Sequence, residues 1–430
     1  MYRAALFAFL VFGTVGLSPA MGQSTAPTPP PDSTLEVGPS STEADAEWDG
    51  PGWDDVRGTV STHADEHVGA HNGHESPYRQ ESESNRAAPP VRYNRVEGLV
   101  VGLRRSPLSA DSEDQTRVFG QAAYAFGLRD LRYTVGVESR LYETDPTSLR
   151  FGVQYHEQTL SPDRWKTSYL ENSLASIGFE DDFFDYYEAE GLTVYATQTL
   201  PRSVDVTAGF RAEAHRPLTP QTDWSLFESG TFRDNSAATA GDLRALFGAV
   251  TAGRISDPGG LPTGAALRVA ATVADGLGGD FGFTRYEADA RGFLPLTPDT
   301  RLGLRLRGGY ATSGAPHQSR FALGGVGSLR GYGQNRFRGP RMVLANAEYL
   351  IDGATVFDNV LDDLFLAGLF DAGWVGGPGT PFRMDDVLPA AGVGLGLDER
   401  AVRLDVVWPL RSGPTLPSGP SIRLRISPSF

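Results

Sequence analysis

The sequence predicts an all-β fold, a transmembrane antiparallel β-barrel of sixteen strands, or of fourteen on the lower count. Three observations carry that expectation. From Val91 onward, apolar and polar residues alternate with period two, the mark of strands with two unlike faces. The polar faces carry dense charge of both signs, as in a water-filled interior, and the apolar faces recur strand after strand. The first 22 residues, MYRAALFAFLVFGTVGLSPAMG, join one basic residue (Arg3) to an apolar run from Ala4 to about Val15 and small residues near Ala20 and Gly22. This is the pattern of a secretory signal peptide, too short to span a bilayer, and no other run of about 18 apolar residues occurs. Export without spanning helices leaves a soluble exported protein or an outer-membrane barrel.

Residues 23–90 are rich in Pro, Ser, Thr, Asp and Glu, with PTPPP at 28–32 and no apolar period, so they are expected to be a disordered acidic periplasmic tail. That tail holds 13 acidic and 3 basic residues, and residues 91–430 hold 40 acidic and 34 basic. The expected barrel, 91–430, is therefore nearly charge-balanced, which disfavours nucleic acid as a partner. Cysteine is absent, excluding disulfides, thiolate metal sites and a lipidated cysteine. Lys166 is the only lysine, so basic charge is otherwise arginine.

Ten strands are expected at 96–105, 117–128, 131–141, 149–159, 191–200, 203–215, 242–254, 263–274, 283–295 and 300–311. Five follow at 341–351, 363–375, 390–398, 401–410 and 421–430. In the last, Ile422, Leu424 and Ile426 oppose Arg423 and Arg425; in 401–410, Val402, Leu404, Val406 and Trp408 oppose Arg403 and Asp405. Bacterial barrels of this kind close with an even number, so a weak strand within 166–180 (KTSYLENSLASIGFE) is expected to complete sixteen. It would put 181–190, 216–241 and 321–340 at one end, and the short turns LRDL (128–131), LPRS (200–203), PLTPDT (295–300) and LDER (397–400) at the other. Tyr133, Tyr155, Tyr195, Tyr286, Tyr349 and Trp408 are candidates for interfacial aromatics, and the chain closes on Phe430, a candidate C-terminal barrel signal.

The connection FALGGVGSLRGYGQNRFRGP (321–340) has the glycines and arginines of a phosphate loop but not its pattern. No lysine is present, Gly325-Val326-Gly327 lacks a third glycine in register, and no βαβ unit follows. At Leu329-Arg330-Gly331-Tyr332, preceded by Gly324 and Gly325 and followed by Asn346-Ala347-Glu348-Tyr349, the sequence instead resembles the bacterial surface antigen superfamily. That superfamily comprises outer-membrane barrels that include the barrel-assembly insertases, the translocation-and-assembly transporters and the two-partner-secretion transporters. Leu369-Phe370-Asp371-Ala372-Gly373 resembles its second motif, with Leu369 where Phe or Gly is usual, and the ending AGVGLGLD, RLDVVWPL and Phe430 resembles its closing strands. YNRVEGL (93–99) is similar to the start of such barrels. The resemblance is strongest over 321–430. It implies a loop folded into the barrel interior with an Arg-Gly tip. The alternation phase independently puts Asp371 on the charged face, where it can pair bidentately with Arg330. The glycines, Gly324, Gly325, Gly327 and Gly331 among them, let the loop turn with positive φ and approach the wall; Gly373 is the second matching residue of the later motif.

Other chemistry is weaker. His63, His67, His71 and His74 cluster, but Gly69 and Asn72-Gly73 discourage the helix that would align them on a metal. FEDDFFDYYEAEG (179–191) offers Asp181, Asp182 and Asp185 without the spacing of a calcium loop, and reads as an exposed connection. No G-x-S-x-G or H-E-x-x-H occurs, and His156, His215 and His317 read as isolated, so neither enzyme activity nor a cofactor or metal is expected. The resemblance implies a role in protein insertion or polypeptide transport at the bacterial outer membrane. The partners are then membrane lipids and a polypeptide client or periplasmic partner protein. Such barrels usually carry periplasmic POTRA domains, and residues 23–90 are too short and polar to supply one. The alternative is a pore without POTRA domains, or a membrane-embedded partner of another complex.

Overall fold

The computed structural model describes residues 88–108, 114–256, 262–352, 364–397, 402–411, 413 and 416–426. The expected signal peptide, nearly all of the expected tail with its histidine cluster, and Phe430 lie outside them. The tail's last residues are packed: Ala88 is buried and its carbonyl accepts from Gln121 Nε2 at 2.8 Å. Packed chain is thus present at 88–90, within the segment expected to be tail.

Strands β1 (Arg92–Asn94), β2 (Gly98–Arg105), β3 (Thr116–Ala125), β4 (Asp130–Thr144) and β5 (Thr147–Leu160) precede the helix α1 (Tyr169–Phe179). Then come β6 (Tyr187–Leu200), β7 (Val204–Pro217), β8 (Gly241–Ser256), β9 (Thr263–Val273), β10 (Thr284–Thr297) and β11 (Thr300–Ala311). Two short strands, β12 (Phe321–Leu323) and β13 (Phe337–Gly339), follow, and β14 (Arg341–Asp352), β15 (Leu364–Gly376), β16 (Leu388–Leu397), β17 (Val402–Pro409) and β18 (Ser421–Ile426) complete the chain. Sixteen of these form one antiparallel sheet in chain order, and β12 with β13 forms a separate hairpin between β11 and β14.

The period-two pattern sets the faces. On β17 and β18, Leu404, Trp408, Ile422 and Leu424 are exposed while Arg403, Asp405 and Arg425 are buried. On β15, Phe370 is exposed while Leu369 and Asp371 are buried. The sheet curls, because α1, which follows β5, touches both its first and last strands: Tyr93 N–H donates to Ser173 Oγ at 3.1 Å, and Ile426 N–H donates to Glu171 Oε1 at 3.2 Å. Among the described residues no ladder joins β1 to β18, so the seam is not closed by strand pairing.

Within 166–180 the chain forms the helix Tyr169–Phe179, contrary to the expected weak strand, and the sixteenth strand is the three-residue β1. Locally the reason is capping: Ser168 is the N-cap, its hydroxyl accepting from Glu171 N–H at 3.0 Å, and Ser-x-x-Glu is a helix-start signature. Removing that strand also moves a turn. Residues 126–129 now lie at the same end as the long connections 161–186, 218–240 and 312–340, while 201–203 and 298–299 lie at the other. Tyr195 departs from the expected aromatic set too, since it is buried and its hydroxyl donates to Glu138 Oε1 at 3.1 Å.

Candidate functional site: the pinned loop and its carboxylate network

The loop after β11 rests on the buried, charged face of β14–β17. Its β12–β13 hairpin holds the base, and the tip is a tight turn in which Gly325 N–H donates to Leu329 O at 3.1 Å and Tyr332 N–H to Leu329 O at 3.2 Å. Leu329 and Tyr332 pack with Phe365, Ala367, Leu369, Ala390 and Val407. Tyr332 OH donates to Pro389 O at 3.0 Å. Leu369, the departure from the motif, therefore fills the same apolar cluster as Leu329.

Between these apolar contacts Arg330 enters a set of acidic side chains. Its Nε donates to Asp371 Oδ2 at 2.9 Å and its Nη2 to Oδ1 at 2.6 Å, a bidentate fork. Its own backbone N–H reaches Asp371 Oδ2 at 3.0 Å, and Nη1 reaches Glu348 Oε1. Asp371 and Asn346 are cross-strand partners on the same inward face, which lets Asn346 Nδ2 donate to Asp371 Oδ1 at 2.7 Å and to Ser328 O at 2.8 Å. Arg403 clamps Glu348 from the far side, with Nη1 to Oε2 at 3.0 Å and Nη2 to Oε1 at 3.1 Å. Glu348 and Asp371 have no exposed surface. Burial alone would lower the pKa of Arg330; Asp371 and then Glu348 reverse this and hold it above the ordinary arginine value. The guanidinium thus stays charged at any physiological pH. This arrangement can fix a loop in one place; it offers no nucleophile.

The glycines make the approach possible. Gly327 adopts φ +63°, and a Cβ there would collide with the Lys166 carbonyl. A Cβ on Gly331 would lie 2.9 Å from both Ala390 Cβ and Pro409 N. Gly331→Val is therefore expected to lift the tip off the wall at a cost of about 1–3 kcal/mol. The check is trypsin cleavage at Arg330 and Arg336 in the folded protein, against a wild type that is resistant there.

A second network, which the sequence reading missed, lies along 161–186. Residues 179–191 were expected to be an exposed connection; instead Phe183, Phe184 and Tyr186 are buried with Val96 and Val326. Asp185 accepts from Arg233 Nη1 at 2.6 Å, Arg338 Nη2 at 2.5 Å and Asn335 Nδ2 at 2.9 Å. Asp182 is paired with Arg95 at 2.9 Å, and Asp163 with Lys166 at 2.7 Å. Gln334 Nε2 donates to Phe183 O at 2.7 Å. The carboxylates considered for calcium are thus taken up by arginines, Asp181 included, whose partner is Arg423 at 3.5 Å. The acidic trio Asp130, Glu157 and Glu188 is also compact, but Arg132 lies among its oxygens at 3.5, 3.1 and 2.9 Å and supplies the cation.

The histidines are not isolated, contrary to expectation. Glu213 lies 3.5 Å from His156 Nε2 and 3.1 Å from His215 Nε2, and Ser236 Oγ is 2.6 Å from His317 Nε2. Partners on neighbouring inward faces, or on separate connections, leave no trace in local spacing.

A family model described as "Family of unknown function (DUF5686) C-terminal domain" matches residues 70–252, less than half of the chain. No curated protein matches. Among solved structures, the chain is similar to BamA from Haemophilus ducreyi lacking POTRA domains 1–3, at 15% identity and a TM-score of 0.49, covering 77% of this chain and 67% of that one. It is also similar to CdiB from Acinetobacter baumannii (12%, TM-score 0.43, 76% of this chain and 55% of that) and CdiB from Escherichia coli (11%, 0.44, 77% and 59%). The chain therefore spans little more than half the length of the two CdiB chains.

Proposed function

We propose that this protein is an outer-membrane barrel that acts on polypeptides, inserting or translocating them, with the seam between β1 and β18 as its working edge. The observation that carries the reading is that the edge amides of Tyr93 and Ile426 are held by helix side chains and not by carbonyls of the facing strand. An edge held only by side-chain acceptors can exchange them for an extended client, whose backbone carbonyls would take the same donors by strand addition. Membrane placement is supported by the apolar outer face, where Leu103, Val118, Leu306, Val393, Ile422 and Leu424 are all exposed beside a buried charged face. The pinned loop and the buried residues Phe183, Phe184 and Asp185 packed beside it fill space behind the wall, which weighs against an open pore. No cofactor and no bond chemistry enter this reading; lipids and a polypeptide client are its partners.

Depleting the protein in its host and measuring the outer-membrane proteome is the test. The expected result is loss of other barrels or of exported polypeptides from that membrane. An unchanged proteome, together with a large, stable, client-independent conductance of the purified protein in planar bilayers, would replace this reading with a plain pore.

A further inference from the structure

Helix α1 is amphipathic in the reverse sense for a globular protein. Its polar residues Glu171, Asn172, Ser173 and Ser176 are buried, while Leu170 and Leu174 are 44% and 42% exposed, with Ile177 next on the same stripe at i, i+4, i+7. A helix facing water would reverse that assignment.

The position of α1 explains the inversion. It lies along β18, with Glu171 accepting from Arg425 Nε at 2.5 Å and Asp181, just past its C-terminus, 3.5 Å from Arg423. On its other side Ser173 takes the edge amide of β1. On the strands beside the seam the apolar residues are exposed, Ile422 and Leu424 on β18 and Leu99, Val101 and Leu103 on β2, and on the helix bonded to both edges Leu170 and Leu174 are exposed as well. We infer that α1 is part of the barrel wall, filling the seam between the first and last strands and presenting Leu170 and Leu174 to the acyl chains of the bilayer.

Physical chemistry favours this occupant. In hydrocarbon every backbone polar group needs a partner, so an open strand edge is excluded while a helix, satisfied internally, is admitted. The side chains of α1 add acceptors for the edge amides. The occupant is lipid and not a protein partner, because α1 is bonded to both edge strands, turns its polar side to the buried Arg425, and leaves Leu170 and Leu174 exposed as the strands leave Ile422 and Leu424. The inference rests on the membrane placement proposed above.

The chain lacks cysteine, so single reporters need no background removal. Leu174→Cys, Leu170→Cys, Leu424→Cys and Glu143→Cys, each labelled with bimane, would be reconstituted in phosphatidylcholine vesicles with or without acyl-chain bromination. The expected result is that Leu174→Cys and Leu170→Cys lose emission to the brominated chains to the same extent as Leu424→Cys. Glu143→Cys, exposed at the end of β4 next to the 145–146 turn, is expected to be quenched only by aqueous iodide. If Leu424→Cys responds to bromine and both helix positions respond only to iodide, the wall role of α1 is overturned and the membrane placement stands. If Leu424→Cys also fails to respond in folded protein, both are overturned.

Discussion

Arg330→Ala is expected to destabilise the folded barrel by about 3–5 kcal/mol, the range for breaking a buried ion pair from one side. The substitution keeps the backbone N–H bond to Asp371 but removes the bidentate fork and the contact with Glu348. Asp371 is left with Asn346 and that one amide, and Glu348 with Arg403. Two fully buried carboxylates would then share too little positive charge. The measurement is the guanidinium chloride midpoint of vesicle-reconstituted protein, followed by tryptophan fluorescence. Asp371→Ala should also destabilise, and the double variant should fall short of the sum by about 1–3 kcal/mol. Additive effects would sink the pairing as the source of stability. Arg330→Lys is expected to recover only part of the loss, because an ammonium cannot reproduce the planar fork.

The strands and the inward phase of Asp371 were legible in the sequence for one reason, while the place of Arg330 beside it was implied by the resemblance of the loop motif. Side-chain alternation is a local property with period two, so Arg403, Asp405 and Asp371 could be put on the charged face before any contact was known. Helix α1 was read as a strand although Leu170, Leu174 and Ile177 recur at i, i+4 and i+7, because over 11 residues that stripe is short and an even strand count favoured a strand. Ser168-x-x-Glu171 was the available signal, and it outweighed the faint alternation of 166–180. Strand β1 is three residues long, too short for alternation to register. The inner carboxylates were invisible for a different reason: Asp185 meets Arg233, Arg338 and Asn335, and no local spacing encodes contacts that distant.

The inner network should carry the second large effect. Asp185 is where 161–186, the 218–240 connection and the 312–340 connection meet, through Arg233 on one and Asn335 and Arg338 on the other. Asp185→Asn keeps the shape but leaves those cations facing a neutral amide, and is expected to cost about 3 kcal/mol. The pH dependence gives an independent check. Burial pushes this carboxyl up, but Arg233 and Arg338 more than reverse it and hold it at about 2, below its ordinary 3.8. Because the folded value is the lower one, the stabilisation is complete above the unfolded value and is lost as pH falls through the folded one. Across that window, from near pH 4 down to about pH 2, the wild type should lose about 2 kcal/mol through this group. Asp185→Asn should lack that part of the acid limb. If both proteins lose stability in parallel between pH 4 and pH 2, Asp185 is not the carboxylate that ties the connections together.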